Sequence, residues 1–508
     1  MFLLLFLGIL LAHTSVWAEQ AFGNVTLDEI VFHLKVPLQG TDTTSIVSFI
    51  QTALLPTIKI SCILLLIYLI PVAERWIRCR IKRITGQKVT ISILPPPPIS
   101  RSSREAYLFP RIPKKFCSLL IVAAFLFELC SISKTYALGD YVSQQIHPST
   151  WIEDNYVSPA NTAITWPVQK RNLIYIFLES MESSYSSSDE GGYYSENLIP
   201  ELTELATENI NFSNRADGIG GALAVPGTGW TVAGMFAQTS GLPLKLPVDG
   251  NSMNSYSTFF PGVTSIGEIL EDAGYQNHIM FGSDAAFAGR GNYFSQHGDY
   301  EICDYNWANQ TGKIPQDYHV FWGFEDSRLF EMAKEKLQEI SQNEEPFNLT
   351  LLTVDTHFPD GYRCDFCQDE HDTDYKNALS CSSRQVSQFV QWIQQQDFYQ
   401  NTTIVISGDH LTMSAAVNEE IPNTYQRSIY NCIINSAVAP DSSQERIFST
   451  MDMFPTTLAA LGCKIKGERL ALGTNLFSGE KTLLEKYGYD TFSDEISKRS
   501  SFYNSLMY

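Results

Sequence analysis

Apolar residues are distributed in two ways along this chain. Before about residue 139 they form long runs, and from residue 170 they come as short runs separated by amphipathic stretches. The long runs cover residues 2–17, 46–73 and 116–138. The second exceeds the roughly 20 apolar residues needed to cross a hydrocarbon layer ~30 Å thick, although Pro56 and Lys59 interrupt it and Glu128 interrupts the third. The first ends in Val16-Trp17-Ala18 in the manner of a signal peptide. No Lys or Arg precedes its apolar run, so it is expected to be retained as a helix. The loop between the second and third runs (74–115) carries eleven Lys or Arg against Glu74 and Glu105, which predicts a cytoplasmic loop and places everything after residue 138 across the membrane. Pro95 to Pro98 make part of it a stiff spacer.

From residue 170 the period changes. Residues 172–179 form a nearly unbroken apolar run closed by a carboxylate, Asn172-Leu-Ile-Tyr-Ile-Phe-Leu-Glu179, as a buried parallel strand requires. Residues 276–281, 347–354 and 402–407 read alike. Between them, 326–341 sets Leu329, Phe330, Ala333, Leu337 and Ile340 on one helical face. Strand followed by helix, repeated, predicts an α/β domain with a central sheet whose ligands gather at the carboxyl edge of the strands. The expected organisation is a membrane region (1–138), a connector (139–169), an external domain (170–480) and a tail (481–508), without internal repeats.

Four of these strand ends carry chemistry. Glu179 closes the first, Asp284 follows the second, His357 the third, and Asp409-His410 the fourth. Each alone reads as a cap or a buried polar residue. Together, Glu179, Asp409 and His410 form a mixed oxygen and nitrogen set suited to manganese, zinc or magnesium. Pro226-Gly-Thr-Gly-Trp-Thr-Val-Ala-Gly234 adds a hydroxyl, Thr231, at the start of a predicted helix over 231–240, with Gly227 and Gly229 expected to take conformations closed to other residues. A cation beside Thr231 would make it a nucleophile. Thr228 is its rival.

Composition narrows the partners. The formal charge of −20 argues against a nucleic-acid binder. Six cysteines, Cys303, Cys364, Cys367, Cys381, Cys432 and Cys463, fall in the external part, enough for three disulfides in an oxidising compartment. Cys364-x-x-Cys367 with His371 and Cys381 is also the outline of a zinc knot.

From residue 172 to 477 the chain resembles the lipoteichoic acid synthase and phosphoglycerol transferase group of the alkaline phosphatase and sulfatase superfamily. The likeness rests on Leu178-Glu179-Ser180, Gly227-Thr-Gly-Trp-Thr231, the 281–292 segment with Arg290, Asp355-Thr-His-Phe-Pro359, Gly408-Asp-His410, Met451-Asp-Met-Phe-Pro-Thr-Thr-Leu458 and Leu472-Gly-Thr-Asn-Leu-Phe477. It implies an alkaline-phosphatase-like α/β fold, with a mostly parallel central sheet and helices on both faces, preceded by transmembrane helices. It implies one divalent metal, Mn2+ before Mg2+ or Zn2+, on Glu179, Thr231, Asp409 and His410, with Thr231 the catalytic residue. Arg290 and His357 would bind glycerophosphate, while Asp284 and Phe287 match more loosely.

The implied reaction moves glycerol phosphate from phosphatidylglycerol to an envelope glycan or polyglycerophosphate, on the outer side of a bacterial inner membrane. The other readings are a phosphoethanolamine transferase and a silent glycan-binding membrane protein. A hydrolytic sulfatase would need Cys/Ser-x-Pro-x-Arg, which 227–234 lacks. Two departures bear on the acceptor: fewer membrane spans than the synthases have, and a cysteine-bearing insert at 362–382.

Overall fold

The computed structural model describes residues 2–22, 27, 29–31, 43–86, 114–246, 258–418 and 420–508. The chain divides into two compact units, Met1–Ala21 with Thr43–Leu138, and Phe22–Asp42 with Gly139–Tyr508.

In the first unit, helix α1 (Phe2–Phe22), a helical run from Thr43 that passes through a π-helical turn (Ile50–Leu54) into α2 (Leu55–Thr85), and helix α3 (Lys114–Thr135) contain three stretches long and apolar enough to cross a membrane, Phe2–Gln20, Ile46–Ile67 and Ser118–Thr135. Pro56 follows directly on the π-helical turn, a local adjustment of the kind by which a continuous helix accommodates an interrupted hydrogen-bond ladder. Residues 74–85, expected as the start of a loop, continue α2 with Lys82 and Arg83 in its last turn, a placement that suits the helix dipole. Gly86 then ends it in the left-handed conformation. Residues 87–113, with Pro95 to Pro98 and most of the basic loop, lie outside the described residues.

The second unit is built on a seven-stranded sheet. In chain order its strands are β1 (Asn172–Leu178), β2 (Gly221–Ala222), β3 (Gln276–Phe281), β4 (Glu301–Cys303), β5 (Phe347–Leu352), β6 (Thr402–Gly408) and β7 (Ile429–Ile434), arranged β2-β7-β6-β1-β5-β3-β4. Five neighbouring strands are parallel, and β7 and β2 extend the sheet through antiparallel pairs. Every residue of β1, β5, β6 and β7 is buried, because helices cover both faces. Leu173, Tyr175 and Phe177 of β1 enter one core with α5 (Thr231–Ser240) and α8 (Met453–Ala460). Ile174, Ile176 and Leu178 enter the other with α4 (Pro200–Glu208), α6 (Asp326–Ile340) and α7 (Asp374–Gln394). The period of two along β1 therefore sorts its side chains between two cores.

Residues 481–508 are not a loose tail. They form helices Leu483–Tyr487, Tyr489–Ser497 and Ser501–Ser505, whose Leu483, Leu484, Phe492, Ile496 and Tyr503 join the first core. Lys245, buried, donates from Nζ to the carbonyls of Ile496 and Ser497 at 2.6 and 2.8 Å. Residues 139–169 are likewise folded into this unit, with Trp151 packed edge-on against Tyr487 and Phe492.

Ile176 is wholly buried at the centre of the sheet. Ile176→Ala should cost roughly 2–5 kcal/mol of stability, read as a lower urea midpoint for the solubilised full chain. An unchanged midpoint would contradict this account of the core.

Candidate active site

The site forms where β1 and β6 end side by side. Leu178 is in register with Gly408, so Glu179 and Asp409 leave adjacent strands at the same level. Glu179 is held from both backbone directions, its N–H donating to Thr353 Oγ1 at 2.9 Å and its carbonyl accepting from Thr356 Oγ1. Ser180 turns the chain at φ 52, a left-handed conformation uncommon for serine. From there its N–H donates to Asp409 Oδ1 at 2.7 Å and its hydroxyl to Glu179 Oε1 at 2.8 Å.

Thr231 is the first residue of α5. Its Oγ1 lies 3.2 Å from Glu179 Oε2 and 3.4 Å from His410 Nε2. Gly234, one turn on, permits this approach, since a Cβ there would sit 2.1 Å from the Asp409 carbonyl oxygen. Of the two glycines expected to need special backbone, Gly227 has φ 78 and a neighbour 2.8 Å from where its Cβ would be. Gly229 has neither feature, so that expectation holds for Gly227 alone. Thr228, the rival hydroxyl, is buried and donates to the Val225 carbonyl at 2.8 Å, which engages it in its own turn.

Glu179, Asp409 and His410 are all buried, with one donor atom of each within 4.8 Å of the others. His410 Nε2 is 3.4 Å from Glu179 Oε1 and 3.6 Å from Asp409 Oδ2. Its Nδ1 donates to the Leu411 carbonyl at 2.8 Å, which aims Nε2 at the carboxylates. Asp409 Oδ2 is buried and has no hydrogen-bond partner. Two carboxylates, an imidazole nitrogen and a hydroxyl facing one point, with an orphaned oxygen among them, fit a divalent cation.

The charges of the cluster agree. Burial, reinforced by the Glu179 charge, pushes Asp409 up to about 8. For His410, burial alone would lower the pKa, but Asp409 and Glu179 carry it up to about 10. Burial would also raise Glu179, yet the hydrogen bond from His410 and the charges of His357 and His410 bring it down to about 2. At neutral pH protons on Asp409 and His410 therefore balance the charge that a cation would balance in their place.

Across the cleft from Thr231 stands Arg290, 4% exposed. Its Nη2 donates to Ser283 Oγ at 2.7 Å and to the Asp284 carbonyl at 3.2 Å, and its guanidinium carbon lies 4.6 Å from the Phe281 ring centre. Burial lowers its pKa to about 10, opposed by the nearby carboxylates, so it stays charged at neutral pH. Asp284 joins the site through its carbonyl, while its carboxylate accepts from the Ala286 N–H at 2.8 Å and shapes the turn. His357 lines the cleft with Phe287 and Trp322. Its Nδ1 donates to the Phe358 carbonyl at 2.7 Å, and burial lowers its pKa against the pull of Glu179.

Sequence reasoning quoted Ser180 and Gly234 within motifs without giving them a role, and missed Ser283 and Trp322. Gly234 left a signal, a lone glycine inside a helical pattern. Trp322 left little, being one aromatic in a loop. Two buried acids hold the flanking loops. Asp326 accepts from the Val354 and Asp355 N–H groups at 2.7 and 3.1 Å, and Glu182 accepts from the Thr412 N–H at 2.9 Å while paired with Arg427. Of the disulfides expected, one is present among the described residues, Cys367–Cys381. Cys303, Cys432 and Cys463 are buried singly on or beside core elements, where no second sulfur is needed for packing.

Because a cation must displace protons from Asp409 and His410, acid should weaken its binding. Between pH 6 and 8 the Mn2+ affinity of the solubilised chain should rise by up to ~100-fold per pH unit, the limit for two released protons, as followed by electron paramagnetic resonance titration. Equal affinity at both pH values would contradict the assignment.

Comparison with known proteins bears on the same region. The chain is 32% identical over 339 residues to a phosphoglycerol transferase I of Xanthomonas campestris pv. campestris, covering 65% of this chain and 46% of that protein. It is 33% identical over 334 residues to the one from Salmonella choleraesuis, covering 64% and 41%. The chain thus spans less than half the length of these relatives. Among solved structures, the lipooligosaccharide phosphoethanolamine transferase EptA from Neisseria meningitidis is similar over 91% of this chain and 84% of its own, at 13% identity and a TM-score of 0.49. Residues 171–463, more than half of the chain and all of the strands that carry the cluster, match the Sulfatase family model, and the chain belongs to the Sulfatase family.

Proposed function

We propose that this protein is a membrane-anchored, metal-dependent phosphoglycerol transferase, taking glycerol phosphate from phosphatidylglycerol and passing it to a hydroxyl of an envelope glycan or glycerophosphate polymer. The observation that carries the reading is the Thr231 hydroxyl standing 3.2 Å from Glu179 and 3.4 Å from His410, at the focus of a buried donor set. Similarity to proteins named phosphoglycerol transferase I and three helices of membrane-spanning length support it.

Glu179, Thr231, Asp409 and His410 would hold one divalent cation, with Mn2+ the expected ion. Such a cation lowers the pKa of a bound hydroxyl and offsets charge on a phosphoryl oxygen. The remaining steps belong to the chain. Thr231 Oγ1 attacks phosphorus, the bond to the diacylglycerol oxygen breaks, and that oxygen leaves with a proton. An acceptor hydroxyl then attacks the phosphothreonine and Thr231 departs. Arg290, charged and fixed by Ser283, offers its fork to the phosphoryl oxygens. His357, with Nδ1 occupied by Phe358, presents Nε2 for proton transfer to the leaving oxygen or from the acceptor. Phe287 and Trp322 wall this side of the cleft and limit water.

Incubating the full chain with phosphatidylglycerol and Mn2+ should leave a glycerophosphate adduct on Thr231, detectable by mass spectrometry. Thr231→Ala should abolish the adduct and reduce diacylglycerol release by roughly 10³-fold or more. Release at the wild-type rate would remove the nucleophile assignment. An adduct formed only with phosphatidylethanolamine would change the donor and leave the chemistry in place.

A further inference from the structure

The insert after His357 contains a cluster that the transfer reaction does not use. Cys364 and Cys367 lie in the loop, and Cys381 lies in the second turn of α7. Cys367 and Cys381 are bonded. Cys364 is buried and free, with its Sγ 3.7 Å from Cys367 Sγ and 3.9 Å from Cys381 Sγ. A thiol placed to exchange with a disulfide approaches along the S–S axis, close to one sulfur and about a bond length farther from the other. Cys364 is nearly equidistant from both and flanks the bond.

Its two distances match a different geometry. Sulfurs ~2.3 Å from a tetrahedral zinc ion stand ~3.8 Å apart, and Cys364 keeps that spacing to both partners. A second group points to the same place. Gln385, one turn after Cys381 on α7, is buried, with Nε2 3.7 Å from Cys364 Sγ and 3.5 Å from Cys381 Sγ, and Oε1 without a partner. Burial pushes the Cys364 thiol up, an amide N–H directed at sulfur opposes that rise, and the orphaned amide oxygen can take a fourth ligand position by an amide flip. His371, the expected fourth member of a zinc knot, is engaged elsewhere, its Nε2 lying 2.8 Å from Ser380 Oγ.

We infer that Cys364, Cys367 and Cys381 form a second metal site, specific for a thiophilic d10 cation such as Zn2+, which assembles when the Cys367–Cys381 bond is reduced. The balance is simple. A dithiol reductant gives two electrons and two protons to the Cys367–Cys381 bond and becomes a disulfide itself. The cation then binds three sulfurs and releases their three protons, with Gln385 Oε1 or water completing the tetrahedron. The site tethers the insert to α7. Because Tyr362 stacks on Phe321 at 5.9 Å, and Phe321 lies 6.1 Å from His357, the tether borders the cleft wall. It has no donor in common with the Glu179 cluster.

The test uses the full chain in detergent, reduced with a phosphine, freed of it, and titrated with Co2+ under argon. The carboxylate and imidazole cluster gives no sulfur-to-cobalt charge-transfer band, and dependence of the band on Cys364 separates this site from the other free thiols. The expected result is a band saturating near one Co2+ per chain, bleached by Zn2+, absent from the oxidised protein, and weakened at least tenfold in affinity in Cys364→Ser. In the wild type, Zn2+ should also protect Cys364, Cys367 and Cys381 from alkylation, mapped by mass spectrometry, which needs no variant to fold. No band in the reduced wild type, a band unchanged in Cys364→Ser, or alkylation of these three unaffected by Zn2+ would overturn the inference.

Discussion

Two carboxylates buried side by side are the constraint on which the rest of this molecule turns. Because β1 and β6 are parallel neighbours in register, Glu179 and Asp409 emerge together at the carboxyl edge of the sheet, where neither reaches water. Unscreened like charges at that distance cannot both persist without a compensating positive charge. Protons on Asp409 and His410 relieve the repulsion, and a divalent cation would do so in their place. The surroundings are spent on fixing this arrangement: Thr353 and Thr356 hold the Glu179 backbone, Ser180 ties the two acids, and Gly234 lets the helix carrying Thr231 come within contact of the Asp409 backbone. A surface helix would have no use for a glycine in that position.

The sheet has a second consequence. Its two cores draw on alternate residues of the same strands, so the strand ends that bear the chemistry are clamped from both faces. Arg290 and His357 stand on loops, and their loops are secured by local acids and hydroxyls. Ser283 and the Asp284 carbonyl hold the guanidinium, and the Asp326 carboxylate caps the turn that leads to His357. A rigid sheet edge carries the proposed cation donors, and braced loops carry the groups proposed to meet the substrate. The division suits a transfer whose donor and acceptor enter in turn.

Much of this was legible in the sequence, and for a physical reason. Buried parallel strands are nearly unbroken apolar runs, so 172–179, 276–281, 347–354 and 402–407 announce themselves to within two residues of the strand ends, and the carboxylate or histidine at or after each run marks the sheet edge. The helix at Thr231 begins where the glycine-bearing turn ends. What the sequence concealed depends on packing between distant segments. Residues 481–508 carry too few apolar positions per turn to advertise a core, yet Lys245 and Trp151 give them something to dock on. Gly229 looks like Gly227 and is needed for no special conformation. Six cysteines suggested three bonds, but Cys432 and Cys463 serve as small apolar side chains in the two cores. The role of Trp322 depends on its lying 4.8 Å from the His357 ring, which no local pattern encodes.

The central claim is that side chains from three separate segments meet on a single cation. Anomalous diffraction at the manganese edge, from crystals of the full chain grown with Mn2+, addresses it without relying on turnover. The account predicts one strong peak enclosed by the Glu179 and Asp409 carboxylates, His410 Nε2 and Thr231 Oγ1, at oxygen and nitrogen distances of roughly 2.0–2.3 Å. Crystals saturated with Mn2+ that show no peak between these four residues would contradict it.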